Sequence, residues 1–168
     1  SLTIAAGELV AIMGPSGSGK STLLALAGAL DRPTAGIVRI GGRDLAASSP
    51  TELAALRRRT IGYVFQDLNL LHGLNALENV ALPLELDGRS MATARAEARD
   101  ALERVRLGHC AARFPDDLSG GEQQRVSVAR AIAGKPKILF ADEPTANLDS
   151  ISGNSIIELL GDLNKQGQ

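Results

Sequence analysis

Gly14-Pro15-Ser16-Gly17-Ser18-Gly19-Lys20-Ser21-Thr22 decides how the rest of this chain is read. The pattern is G-x-x-x-x-G-K-S, a phosphate cradle. Its glycines let the backbone bend tightly enough for successive N–H groups to face phosphate oxygens. Lys20 adds a point charge for the terminal phosphates, and the Ser21 hydroxyl can ligate Mg²⁺. The flanks fit the same reading. Leu9-Val10-Ala11-Ile12-Met13 is a short apolar run that reads as a buried strand, and residues 21–30 read as a helix ending near Asp31-Arg32-Pro33. Strand, glycine loop and helix N-terminus together favour an anion, because unpaired N–H groups and the helix dipole converge there.

Working outward, a second strand-length run, Ile138-Leu139-Phe140-Ala141, ends in Asp142 and Glu143. Strand ends place side chains at the carboxyl edge of a parallel sheet, where ligands bind in this fold class. Asp142 can hold Mg²⁺, usually through a water, and the ion neutralises phosphate charge. Glu143 is then positioned to orient or deprotonate an attacking water. Gln66 follows a strand read over residues 61–65; by itself a Gln at a strand end is usually just a loop residue, though its side-chain oxygen could complete the Mg²⁺ shell or hold the water. Ser119-Gly120-Gly121 precedes a helix read over residues 122–133. Ser119 suits a helix cap. Two glycines ahead of a helix N-terminus also make a second phosphate-binding corner. Two such corners suggest a nucleotide held between two chains, one corner from each.

Between these landmarks, strands alternate with helices, which implies a parallel sheet covered on both faces. A short strand over residues 37–40 runs into the turn Gly41-Gly42. Ser49-Pro50-Thr51-Glu52 opens a helix with a capping box and proline in the first turn. That helix ends near Arg57-Arg58-Arg59, most simply a solvated helix end favoured by the dipole. From Asp67 to Asp117 helical patterns dominate, and Ala94, Ala98, Leu102 and Val105 share one face. The sequence thus divides into an α/β core, residues 1–66 and 118–168, and an inserted helical subdomain, residues 67–117. Near the end, Ile156, Ile157, Leu160 and Leu163 space as a buried helical face.

Composition sets the outer limits. With 168 residues the chain is one domain, or one domain with a subdomain. A formal net charge of −1 argues against general nucleic-acid binding by charge alone, and 2% aromatics without Trp argues against base stacking. Cys110 is the single cysteine, so no internal disulfide forms, and it reads as a small buried residue. No apolar run reaches the roughly 18 residues that span a bilayer, so a membrane role is expected to come through a partner. The opening residues do not read as a signal peptide. Both ends look cut, at Ser1 and at Gln168.

In this order the motifs resemble those of ATP-binding cassette (ABC) nucleotide-binding domains over residues 9–149. Residues 14–22 match the Walker A loop, Gln66 the Q-loop, and Ile138 to Glu143 the Walker B strand. Leu118-Ser119-Gly120-Gly121-Glu122-Gln123-Gln124-Arg125 resembles the family's signature, and Asn147-Leu148-Asp149 its D-loop. The resemblance implies an α/β fold, a P-loop NTPase parallel-sheet core with an inserted α-helical subdomain. It implies an ATPase that uses ATP and Mg²⁺. Glu143, Gln66 and Lys20 would be catalytic, and Ser21, Gln66 and Asp142 would surround the metal. Residues 14–22 and, across a head-to-tail pair of nucleotide-binding domains, Ser119, Gly120 and Gly121 would bind the nucleotide. A transmembrane permease would be the second partner, contacted by the segment after Gln66, at the cytoplasmic face of the membrane, with no nucleic acid expected.

A finer resemblance is to the lipoprotein-release and macrolide-export branch, carried by Leu56-Arg57-Arg58-Arg59, Ile61-Gly62-Tyr63-Val64-Phe65-Gln66, Asn69-Leu70-Leu71, Glu78-Asn79-Val80 and Pro83-Leu84. Asp142-Glu143-Pro144-Thr145-Ala146-Asn147-Leu148-Asp149 fits that branch, where Gly is usual in place of Ala146. Two departures are larger. No aromatic residue precedes Gly14 to stack on adenine, and the family's switch histidine would lie beyond the last helix. His72 and His109 lie elsewhere and do not take that role, so the chain as it stands is expected to hydrolyse ATP weakly. Two alternatives are a non-transport ABC ATPase and a nucleotide-binding fragment without turnover.

Overall fold

The computed structural model describes residues 2–167, so Ser1 and Gln168, where the sequence looks cut, lie outside the described residues. Helix α1 (Lys20–Ala27) follows the glycine loop directly. A small antiparallel hairpin comes next, β1 (Arg39–Ile40) against β2 (Arg43–Asp44). Its turn residues Gly41 and Gly42 have φ of 56° and 80°. A two-residue hairpin turn of this kind demands the left-handed region at both positions, which is why the sequence spends two glycines there. Helix α2 (Pro50–Arg59) starts with the expected reciprocal box, Ser49 Oγ accepting from the Glu52 amide and the Glu52 carboxylate from the Ser49 amide. The arginines at its end are not simply solvated. Arg58 and Arg59 both reach Asp87, and Arg57 donates to the Ala29 carbonyl at 2.7 Å.

Strand β3 (Ile61–Val64) is followed by helices α3 (Ala76–Leu86) and α4 (Met91–Arg104). Two 3₁₀ turns, Gly108–Cys110 and Pro115–Asp117, lead into α5 (Gly120–Ile132). Strand β4 (Ile138–Ala141) then pairs in parallel with β3, in register from Ile61↔Ile138 to Val64↔Ala141, and α6 (Ser150–Lys165) closes the described chain. The parallel pair needs a long crossover, and residues 65–137 supply it, so strands far apart in sequence end side by side.

Most of the apolar core lies where α3, α4 and α5 pack on β3. Ala94, Ala98, Leu102 and Val105 are wholly buried there, as their spacing predicts, together with Val80, Val126, Val128 and Ile132. Cys110 is buried in the same cluster. A smaller cluster joins Ala29, Ile40, Leu45, Leu53 and Ile61.

Two further expectations are corrected. Residues 9–13 form no strand and are not buried; Leu9 is 63% and Met13 90% exposed. An apolar run becomes a strand only when a neighbour takes its N–H and C=O groups, and no described strand lies beside it. In α6, Ile157 is 52% exposed, whereas Ile156, Leu159 and Leu163 are buried. These three repeat at i, i+3, i+7 and define the stripe; Ile157 is turned about 100° off it.

Candidate active site

The glycine loop of residues 14–22 is held open by its own backbone. Gly17 and Gly19 have φ of 77° and 88°, values a side chain would strain. Gly19 is also the N-cap of α1 and offers no side-chain acceptor to the first helical turn. The Ser18 amide turns back onto the Pro15 carbonyl at 3.3 Å; the other amides of residues 16–21 make no main-chain hydrogen bond among the described residues. A row of free N–H groups at a helix start is an anion cradle. Lys20 Nζ folds across it, donating to the Gly14 and Pro15 carbonyls at 3.0 and 3.1 Å.

The parallel strand pair brings the acids to this loop. The Asp142 amide donates to the Val64 carbonyl at 2.9 Å, extending the ladder by one bond. Its carboxylate Oδ1 accepts from Ser21 Oγ at 3.0 Å. Glu143 follows with φ 44°, a left-handed backbone in a residue that has a Cβ. Such strain persists only where the surroundings impose it, and it gathers at functional positions. Here it turns the chain at the strand exit, leaving Glu143 exposed at the rim. A cleft of about 310 Å³ results, with Ser16, Gly17, Gly19, Lys20, Ser21 and Thr22 on one side and Gln66 and Glu143 on the other. Tyr63 stacks on Phe65 at a centroid distance of 4.4 Å just behind, and burial, then the Asp142 charge, pushes its phenol upward.

The donors gathered here are hard oxygens: a hydroxyl, a carboxylate and a side-chain amide. That set suits a small divalent cation such as Mg²⁺. Ser21 and Asp142 are already in contact, as two ligands of one ion need to be, and Gln66 lines the same cleft.

Ser119, Gly120 and Gly121 do not line this cleft. Ser119 caps α5 in a reciprocal box: its amide and hydroxyl both donate to Glu122 Oε2 at 2.8 Å, and the Glu122 amide donates back at 3.3 Å. The Ser119 amide and hydroxyl hold the Glu122 carboxyl below its ordinary value. Asp149 does the same for α6, Oδ1 accepting from the Ile151 and Ser152 amides at 2.9 and 3.0 Å.

Sequence reading missed Arg130. From α5 it donates to the Asn69 and Leu68 carbonyls, both at 2.6 Å, and so clamps the segment just after Gln66. Nothing local marks an arginine for such a task, since its partners lie more than sixty positions away. Asn79 is a second residue whose task no local pattern marks. Buried in α3, it accepts from the Leu71 amide at 2.8 Å and donates to the Leu71, Leu74 and Asn75 carbonyls.

Comparison with known proteins places this geometry. Residues 1–146 match the family model described as ABC transporter. The macrolide export ATP-binding/permease protein MacB of Rhodospirillum rubrum is 50% identical over the whole chain, which spans 26% of that protein. The lipoprotein-releasing system ATP-binding protein LolD of Shewanella sp. strain MR-7 is 48% identical over 98% of the chain and 71% of the relative. A solved dimeric structure of the ATP-binding cassette MJ0796, in a post-hydrolysis state with ADP and Pi, superposes with a TM-score of 0.88 at 47% identity. It covers 99% of this chain and 74% of that one. The chain therefore spans about a quarter of the macrolide-export relative and about three quarters of the others.

Proposed function

The chain belongs to the ABC transporter family, and on that footing we propose that it is the ATP-binding and ATP-hydrolysing part of a membrane transporter of the lipoprotein-release or macrolide-export kind. The observation that carries the reading is the Ser21–Asp142 contact beside the glycine cradle and Lys20. Free amides of residues 16–21 receive phosphate oxygens, and Lys20 leaves the Gly14 and Pro15 carbonyls to meet the terminal phosphates. Ser21, Asp142 and Gln66 hold Mg²⁺. When bound, the ion neutralises charge on the β and γ phosphates. Glu143, on its strained turn, orients the attacking water and takes its proton, and Gln66, lining the same cleft, steadies that water.

The two corners fit a nucleotide shared between two copies or two related domains. Ser119, Gly120 and Gly121 lie outside this chain's cleft, so they serve the nucleotide of a partner placed head to tail. The related cassette MJ0796 is dimeric with ADP and Pi bound, which supports that arrangement. Residues 67–117 act as the helical subdomain that meets a permease. No described helix is long and apolar enough to cross a membrane, and attachment at the cytoplasmic face runs through that permease.

The test is calorimetric titration of MgATP. Lys20→Ala should weaken binding by about 10- to 100-fold, the worth of a charged phosphate contact. Unchanged affinity would remove the cradle from the binding site.

A further inference from the structure

Away from the cleft, three side chains of different donor type converge where the 3₁₀ turn Gly108–Cys110 meets the start of α5. The ligating atoms of His109, Cys110 and Glu122 all lie within 4.8 Å of one another. We propose that they form a zinc site, filled by a fourth ligand from water. Thiolate with imidazole selects a borderline or soft cation over Mg²⁺ or Ca²⁺.

The geometry supports a tetrahedral ion. Zn–S near 2.3 Å and Zn–O near 2.1 Å hold sulfur and oxygen roughly 3.6 Å apart at the tetrahedral angle. Cys110 Sγ and Glu122 Oε1 stand 3.6 Å apart. Glu122 divides its work: Oε2 receives the Ser119 amide and hydroxyl, while Oε1 faces the thiol. The second oxygen thus reaches the metal without disturbing the cap of α5. Cys110 is wholly buried and fixed, whereas His109 is exposed, so its ring turns in to close the site and gives the ion its way in. Arg113 Nη1 is 3.8 Å from Oε1, beyond hydrogen-bond range, and its side chain is half in solvent, free to swing away. Binding releases the Cys110 proton to solvent. Zn²⁺ with one thiolate and one carboxylate is neutral, which lowers the cost of a partly buried ion. The ion ties the turn before α5 to the capping box that positions Ser119.

Cobalt(II) titrated into the full chain serves as the optical probe, followed by displacement with zinc chloride. One equivalent should bind with a thiolate-to-cobalt charge-transfer band and tetrahedral visible bands, and zinc should erase both. Cys110→Ser should abolish the charge-transfer band. His109→Ala, at an exposed position that leaves the fold intact by circular dichroism, should weaken binding at least tenfold. His72→Ala, altering the exposed His72–Asp116 pair, should change nothing. Absence of the charge-transfer band in the unaltered chain overturns the site, as does equal binding by His109→Ala. Loss of binding in His72→Ala would overturn it too, by placing the metal elsewhere.

Discussion

Ser21 Oγ and Asp142 Oδ1 lie 3.0 Å apart although 121 positions separate them in sequence. One sits in the first turn of α1, the other one residue past β4. The contact exists because β4 pairs in parallel with β3 and ends at the same edge where the glycine loop opens. In the proposed reading it joins the two halves of the phosphate-and-metal site. Preformed contacts of this sort reduce what binding must organise.

Glu143→Gln tests the division of labour at that edge. The substitution keeps size and the strained φ of 44° but removes the basic carboxylate. MgATP affinity should stay within a few-fold, while hydrolysis by the intact transporter slows about 10²-fold or more. Phosphate release measured beside calorimetric affinity separates the two, and normal turnover would take the base role from Glu143.

Arg130 makes a second prediction, about positioning. Its guanidinium serves the Leu68 and Asn69 carbonyls at once, and Asn69 itself has φ 49°. In Arg130→Ala both carbonyls lose a charged donor, at about 2–3 kcal/mol. For a chain of this size that lowers the melting temperature by about 5–10 °C. Scanning calorimetry decides it; an unmoved melting temperature would mean that water replaces the guanidinium without loss.

The site was more legible in the sequence than its scaffold. The glycine loop and the acid pair are local patterns whose chemistry follows from residue type and spacing, whereas Gln66 stands out only through the family resemblance; the cleft gathers Gln66 and Glu143 against the loop. Capped helices were legible for the same reason: Ser49 with Glu52 is a four-residue code. Residues 9–13 show where that logic stops. Their composition suits a strand, but strandedness belongs to a pair, and a lone run cannot supply its own partner. Arg130 and Asp87 fail for a related cause, since their partners are brought near only by the packed fold.

Asp149 gives a pH prediction. Hydrogen bonds from the Ser152 amide first, then from its hydroxyl, hold this carboxyl below the ordinary aspartate value. A carboxyl depressed in the folded state adds stability that is complete above its unfolded value, near 3.9, and disappears as pH falls through the folded value. The melting-temperature gap between wild type and Asp149→Asn should therefore be constant above about pH 5 and shrink below about pH 4. A gap independent of pH down to acid unfolding would show that the fold does not depress the Asp149 carboxyl.

Two glycines predict opposite outcomes for the same substitution. A Cβ on Gly62, in β3, would run into the Ala131 carbonyl oxygen of α5 and stand 2.9 Å from Leu139 Cδ1. Backbone is on one side and the strand partner on the other, so little can yield. Gly62→Ala should cost about 1–3 kcal/mol or more by overpacking, lowering the melting temperature by several degrees. Gly161, inside α6, has nothing within 4 Å of its would-be Cβ and no left-handed φ. There Ala gains the helix-propensity difference of about 0.5–1 kcal/mol, and the melting temperature should rise by about 1–4 °C. The pair of melts isolates close packing from backbone entropy. If Gly62→Ala melted with the wild type, α5 would have to slide off β3 at no cost, and the rigid seating of the helix that carries Arg130 would be wrong.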